Sequence, residues 1–213
     1  MNDQYQIGPS PLRLFVLGAT GGTGRAFVDG ALAHGHRVTA FVRSPEKVGR
    51  KHDRLEVIAG DVRDERALAA ALPGHDAVLS AVGPRKRGKF TLIGDTARAT
   101  LAAMAQAHVP RLVVVSAALL YPGGGLFYRI LARLLRDNMR DTAEMERLVT
   151  AASASWTIVR PPRLLDGKGG RAVRVAETGP PVGMVIDRSD LGRFLLDVVE
   201  HDLYLRRVVG VSR

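Results

Sequence analysis

Gly18, Gly21 and Gly24, spaced three apart directly behind the apolar run 12–17, are the residues of this 213-residue chain best suited to chemistry. A strand that ends in such a turn and passes into a helix brings backbone nitrogens against a diphosphate. Gly18 allows the sharp turn off the strand, Gly21 leaves room for phosphate oxygens, and Gly24 lets the helix pack closely on the sheet. A helix that opens near Thr23 points its unpaired amides at the anion. Thr20 and Gly22 complete the turn. The spacing is G-x-x-G-x-x-G, and glycines also gather in ordinary turns, so the inference rests on the strand before and the helical pattern after.

Other residues able to serve such a ligand fall where strands are expected to end. Dinucleotide folds that take NAD place a carboxylate about 20 residues beyond the glycines, at the end of the second strand. Here that place holds Arg43. A guanidinium there suits a 2′-phosphate and so NADP(H); the alternative is a solvated arginine at a strand end. Asp61 can bond an adenine amino group with Val62 packed beside the ring, or it can cap the helix that follows. Val82 and Gly83 end the fourth strand, where Gly83 allows close backbone approach or simply a turn. Arg85, in the basic cluster Arg85-Lys86-Arg87, reaches phosphate or stays in solvent. Ser116 ends the fifth strand and is the best-placed hydroxyl. It either donates to a developing oxyanion, orients a nicotinamide, or bonds local backbone. The six histidines form no metal-binding constellation: His34-Gly35-His36 supplies two but lacks nearby partners, and no metal is assigned.

These residues need a scaffold, and the hydrophobic pattern supplies one. Strands are expected at 12–17, 37–42, 55–59, 76–81, 111–115 and 156–160, with a further one at 208–211. Helical spacing follows the glycine turn up to His34-Gly35, then recurs at 63–72, 91–108, 125–136 and 140–152, and after Ser189-Asp190, which reads as a helix N-terminal signal. The run 111–115 is apolar on both faces, as a central parallel strand requires. Alternation from end to end predicts an α/β, Rossmann-like, doubly wound parallel sheet in a single domain over 12–213. Residues 1–11 read as a flexible leader. The glycine-rich stretch 163–187, with a short strand near 172–176, is the expected substrate-facing part. The segment 125–136 is amphipathic and carries Arg129, Arg133 and Arg136 off its apolar face; it packs on its own domain, covers a substrate, or meets a partner.

Composition narrows the classes. The 46% apolar and 24% charged residues suit a globular chain rather than a disordered one. No apolar run nears the roughly 18 residues of a membrane span. Without cysteine there is no disulfide, thiolate metal site or cysteine nucleophile, and the cytoplasm is the expected compartment. The net charge of +10 is spread along the chain and aromatics are only 5%, which argues against a nucleic-acid surface.

Taken together, Gly18-Ala19-Thr20-Gly21-Gly22-Thr23-Gly24, Val42-Arg43, Gly60-Asp61-Val62, the strand ending in Ser116-Ala117, and Thr157-Ile158-Val159-Arg160-Pro161 resemble the atypical short-chain dehydrogenase/reductase superfamily. The likeness spans 12–212. Within that superfamily the chain is most similar to single-domain NAD(P)H-binding reductases of the flavin reductase (biliverdin-IXβ reductase) type, with NmrA-like proteins as relatives. The resemblance implies an NADP(H) site built from Gly18, Thr20, Gly21, Thr23, Arg43, Asp61, Val62, Val82, Gly83, Arg85 and Ser116. It also sets Arg163 where the flavin reductase group carries a histidine near the cofactor. Ordinary members use Tyr-x-x-x-Lys, yet Tyr5, Tyr121, Tyr128 and Tyr204 are followed four residues on by Pro9, Gly125, Ala132 and Val208. Alcohol oxidation, which needs a positioned base, is therefore not expected. Hydride transfer to a planar, anionic, conjugated acceptor such as a flavin asks less of the protein. The competing expectation is a non-catalytic NADP(H) sensor of the NmrA-like kind.

Overall fold

The computed structural model of the chain describes residues 10–84, 91–121, 133 and 135–213. Strand β1 (Arg13–Leu17) leads into α1 (Gly22–Ala33), β2 (Arg37–Val42), a 3-10 turn (Pro45–Lys47), β3 (Leu55–Ala59), α2 (Glu65–Ala71), β4 (Ala77–Ser80), α3 (Leu92–Ala107) and β5 (Arg111–Val115). A second 3-10 turn (Ala118–Leu120) follows. Then come α4 (Arg136–Ala151), β6 (Ser155–Arg160), β7 (Arg163–Leu165), β8 (Arg174–Ala176), β9 (Val185–Asp187), α5 (Arg188–Glu200) and β10 (Arg207–Ser212). The main sheet runs β3-β2-β1-β4-β5-β6-β10-β8, parallel except for β8, which lies antiparallel on β10. This is the expected doubly wound Rossmann-like architecture. Among the described residues no helix is long and apolar enough to cross a membrane.

Strand order reverses between β1 and β4, which is where such sheets open a crevice. Leu17 is level with Phe41 of β2 on one side and Ser80 of β4 on the other, so the chain leaves all three strands at one edge. Alternate residues of β1 fill opposite cores. Leu14 and Val16 pack with Phe27, Leu191 and Leu195 from α1 and α5, whereas Phe15 and Leu17 pack with Leu68, Ala103 and Met145 from α2, α3 and α4. Burial on both faces explains the unbroken apolar runs of the central strands.

Three expectations need correction. Ser189-Asp190 do not open the last helix: Asp187 occupies the N-cap position without a side-chain cap bond, and the helix has begun at Arg188. The buried Asp190 carboxylate instead accepts the amides of Gly170 at 2.8 Å and Arg171 at 3.4 Å, pinning the preceding loop. The stretch 163–187 is also more ordered than its composition suggests, since β7 and β9 pair in parallel as a small second sheet. Three-residue strands are too short to show periodicity. Finally, the helix expected at 140–152 begins earlier, at Arg136. Most of the leader, and the helix expected at 125–136 save 133, 135 and 136, lie outside the described residues.

Buried His75 ties the turn before β4 to β2. Its Nδ1 lies 2.9 Å from the Leu72 carbonyl, to which it donates, and its Nε2 lies 2.8 Å from the Thr39 hydroxyl, from which it accepts. Burial holds its pKa below the ordinary 6.5, and nearby Arg13 adds to this, while the Leu72 bond, Glu56 and Asp76 pull the other way. The folded protein thus resists a proton that the unfolded chain accepts, so stability is full above about pH 6.5 and is lost as pH falls below it. Urea midpoints should drop between pH 7.5 and pH 5, and His75→Gln should flatten that part of the profile.

Candidate functional site

The glycines behind β1 divide into two kinds. Gly18 has φ +83°, and a Cβ on it would stand 2.5 Å from the Ala81 carbonyl oxygen where β4 ends. One on Gly24 would stand 2.2 Å from the Gly18 oxygen, so both are demanded by the fold itself. Gly21 differs: among the described residues a Cβ there would come no closer than 3.4 Å to any atom, and one on Gly83 would meet none within 4 Å. Their open sides face the crevice, as a cradle for a bound molecule requires. At Gly22 the space is taken by the Arg188 side chain, whose Cδ would lie 2.4 Å from a Cβ.

The start of α1 is arranged for an anion. Gly21 stands at the N-cap with no side-chain cap bond, and the first turn holds no acidic residue. The first intrahelical bond runs from Arg25 N to the Gly21 carbonyl at 2.9 Å. That leaves the amides of Gly22, Thr23 and Gly24 at the positive end of the helix without a helical acceptor.

In front of this loop lies a cleft of about 280 Å³. Of the residues expected from the sequence, Gly18, Thr20, Gly21, Arg43, Asp61, Val62, Val82 and Gly83 line it. The volume suits one nucleoside with its phosphates. Gly60 keeps its far end flat, since a Cβ there would strike the Phe41 ring at 2.1 Å. Arg43 is exposed at the rim and makes no ion pair among the described residues. Ser44, which follows it at the strand end, joins it, as does Lys47, which sequence reasoning missed. The Pro45–Lys47 turn folds Lys47 back toward Arg43, and Arg25 Nη2 fixes that turn by donating to the Lys47 carbonyl at 2.6 Å. A basic residue four positions after Arg43, across a proline, was the available signal.

Asp61 takes neither of its expected forms alone. It does not cap α2: Asp64 does, accepting from Ala67 N at 3.1 Å. Asp61 accepts instead from the Arg63 amide and Nε, each at 3.0 Å, and from its Nη2 at 2.5 Å. Those bonds raise the Arg63 pKa and counter the charge of the one carboxylate that lines the cleft among the described residues.

Ser116 lies beyond this lining, at the end of β5. Its hydroxyl donates to Glu146 Oε1 at 2.5 Å, a partner on α4 that sequence reasoning missed. Arg160 from β6 grips the same carboxylate through Nε at 2.9 Å and Nη2 at 2.5 Å, and its guanidinium sits 4.4 Å from the centre of the Tyr121 ring. Burial works against the Arg160 charge, but the Glu146 bond holds its pKa above the ordinary value. Burial pushes the Tyr121 phenol up. With its proton engaged by the Glu146 carboxylate, the Ser116 oxygen is left to accept. Arg163, exposed at the start of β7, is not among the residues lining the cleft. Arg85 lies outside the described residues.

The expectation that His34 and His36 lack partners is overturned. Glu200 at the end of α5 reaches both, at 2.8 Å from His34 Nδ1 and 2.6 Å from His36 Nε2. Burial opposes the Glu200 charge, yet these bonds hold its carboxyl below the usual range. His36 Nδ1 accepts the Leu12 amide at 3.0 Å, so its proton sits on Nε2 and faces Glu200. A ring nitrogen used in this way offers no lone pair to a metal.

A family model described as NAD(P)H-binding matches residues 18–202. The chain is 28% identical to oxidoreductase ordB of Dothistroma septosporum, over 92% of this chain and 81% of that protein. It superposes with TM-score 0.75 and 16% identity on a short-chain dehydrogenase/reductase (wide type) from Veillonella parvula DSM 2008 in complex with NADP, covering 95% and 94% of the two chains. With TM-score 0.77 and 20% identity it also superposes on ChuY, an anaerobillin reductase from Escherichia coli O157:H7, covering 93% and 96%.

The two kinds of glycine should separate by experiment. Gly24→Ala should destabilise the protein by about 1–3 kcal/mol through overpacking, read as a lower chemical-unfolding midpoint. Gly83→Ala should leave stability within about 0.5 kcal/mol and weaken binding in a dinucleotide titration.

Proposed function

Since the chain belongs to the NAD(P)H-binding family, we propose that it is an oxidoreductase that uses NADPH to reduce a planar, conjugated acceptor of flavin, tetrapyrrole or quinone type. The observation that carries the NADPH reading is the charge at the cleft's rim. Arg43 and Lys47 stand together at the end of β2, where an NAD enzyme would hold a carboxylate, and Arg63 neutralises Asp61. A 2′-phosphate fits between two such cations, and a guanidinium binds it in the bidentate manner.

Each group then has a task. The amides of Gly22 and Thr23 hold the diphosphate, and the faces of Gly21 and Gly83, open among the described residues, admit it. Val62 lies beside the adenine and Asp61 at its polar edge. Ser116, fixed by Glu146 and Arg160, accepts from the carboxamide of the nicotinamide and so orients that ring. When bound, the cofactor supplies the hydride. A conjugated acceptor spreads the incoming charge over its ring system and takes its proton from solvent, which suits a chain without Tyr-x-x-x-Lys.

One observation favours a second reading, a binding-only protein of the NmrA-like kind: the Ser116 proton is already committed to Glu146. Following NADPH absorbance with FMN, a small quinone and a linear tetrapyrrole separates the two. Oxidation with at least one acceptor is expected; tight binding with no oxidation by any of them supports the second reading. Arg43→Ala should weaken NADPH roughly ten- to hundredfold while leaving NADH nearly unchanged. Equal losses for both in calorimetric titrations would remove Arg43 from the 2′-phosphate role.

A further inference from the structure

Arg188, the first residue of α5, lies against the first residue of α1. A Cβ on Gly22 would be 2.4 Å from Arg188 Cδ and 3.1 Å from its Nε, with Asp166 Oδ1 at 3.7 Å. Glycine at position 22 is therefore what allows this arginine to come down beside the amides that open the helix. The Arg188 guanidinium makes one bond among the described residues, from Nη1 to Asp166 Oδ1 at 2.7 Å. The Arg188 side chain is 29% exposed and that of Asp166 87%, so the carboxylate end of the pair is solvated. Ion pairs in such a setting contribute little.

We infer that Arg188 is a second cation for the diphosphate, parked on Asp166 and transferred to the phosphate oxygens when the dinucleotide binds. This rests on the proposed NADPH site. The exchange is favourable because a diphosphate held on the Gly22 and Thr23 amides presents paired anionic oxygens within a cleft, where a guanidinium binds more strongly than it does a solvated carboxylate. The loop that carries Asp166 does not come away in the exchange. Gly170 and Arg171 remain bonded to buried Asp190, and Arg193 Nη2 donates to the Arg171 carbonyl at 3.0 Å. Arg188 thus meets the phosphates at the opening of α1 and reads a group that NADPH and NADH share.

Titration of the full chain and its variants with NADPH, NADH and adenosine 2′-monophosphate, which lacks the diphosphate, tests this. Arg188→Met should weaken both dinucleotides about tenfold, the loss of one charge-assisted contact, and leave the 2′-monophosphate unchanged. Arg188→Lys should recover part of the loss. Asp166→Asn, which frees the arginine, should tighten both dinucleotides about twofold. If Arg188→Met binds both dinucleotides like the parent, or loses the 2′-monophosphate to the same degree, the inference fails and the NADPH reading stands. Failure of the parent to bind NADPH would remove both.

Discussion

Everything in the cleft depends on the close approach of α1 to the turn that precedes it. The Gly24 α-carbon lies so near the Gly18 carbonyl that no side chain fits between them. Gly18, at φ +83° and pressed on the end of β4, closes the other side of the same contact. Together they set the helix opening at the point where strand order reverses, with the amides of its first three residues left without a helical acceptor. A helix held even slightly further off would need side chains to fill the gap, and those would occupy the place of the phosphates.

Charge is placed as carefully as backbone. The cations at the rim, Arg43 and Lys47, have no acidic partner among the described residues, whereas Asp61 is bound by Arg63 and Glu146 by Arg160. Carboxylates near the crevice are thus neutralised internally while positive charge is left available. The Ser116, Glu146 and Arg160 chain also joins β5, α4 and β6, so the hydroxyl proposed to orient the nicotinamide rests on three elements instead of one.

Strand identity and the glycine turn were legible because they are periodic or local. A strand buried on both faces announces itself by an unbroken apolar run, as 111–115 does, and the turn needs only seven consecutive residues. What sequence did not disclose was pairing at a distance. Glu146 meets Ser116 and Arg160, Glu200 meets both His34 and His36, and Asp190 meets Gly170, each joining separate elements. Lys47 escaped notice for a smaller reason: its approach to Arg43 follows from a single 3-10 turn whose helical character three residues cannot display. Asp61 was open as a cap for the helix that follows, and only the geometry of the α2 amides assigns that role to Asp64.

The loop over α5 has one more consequence. Asp190 fastens it at Gly170 and Arg171, and Ser212 Oγ takes the Gly183 amide at 3.0 Å, so the chain between is strung from two fixed posts. Only the short edge strand β8 interrupts it, and from Glu177 to Pro180 it is exposed. Insertions or grafts in that exposed span would change the shape of this surface without shifting either post, as a loop held only at its ends permits.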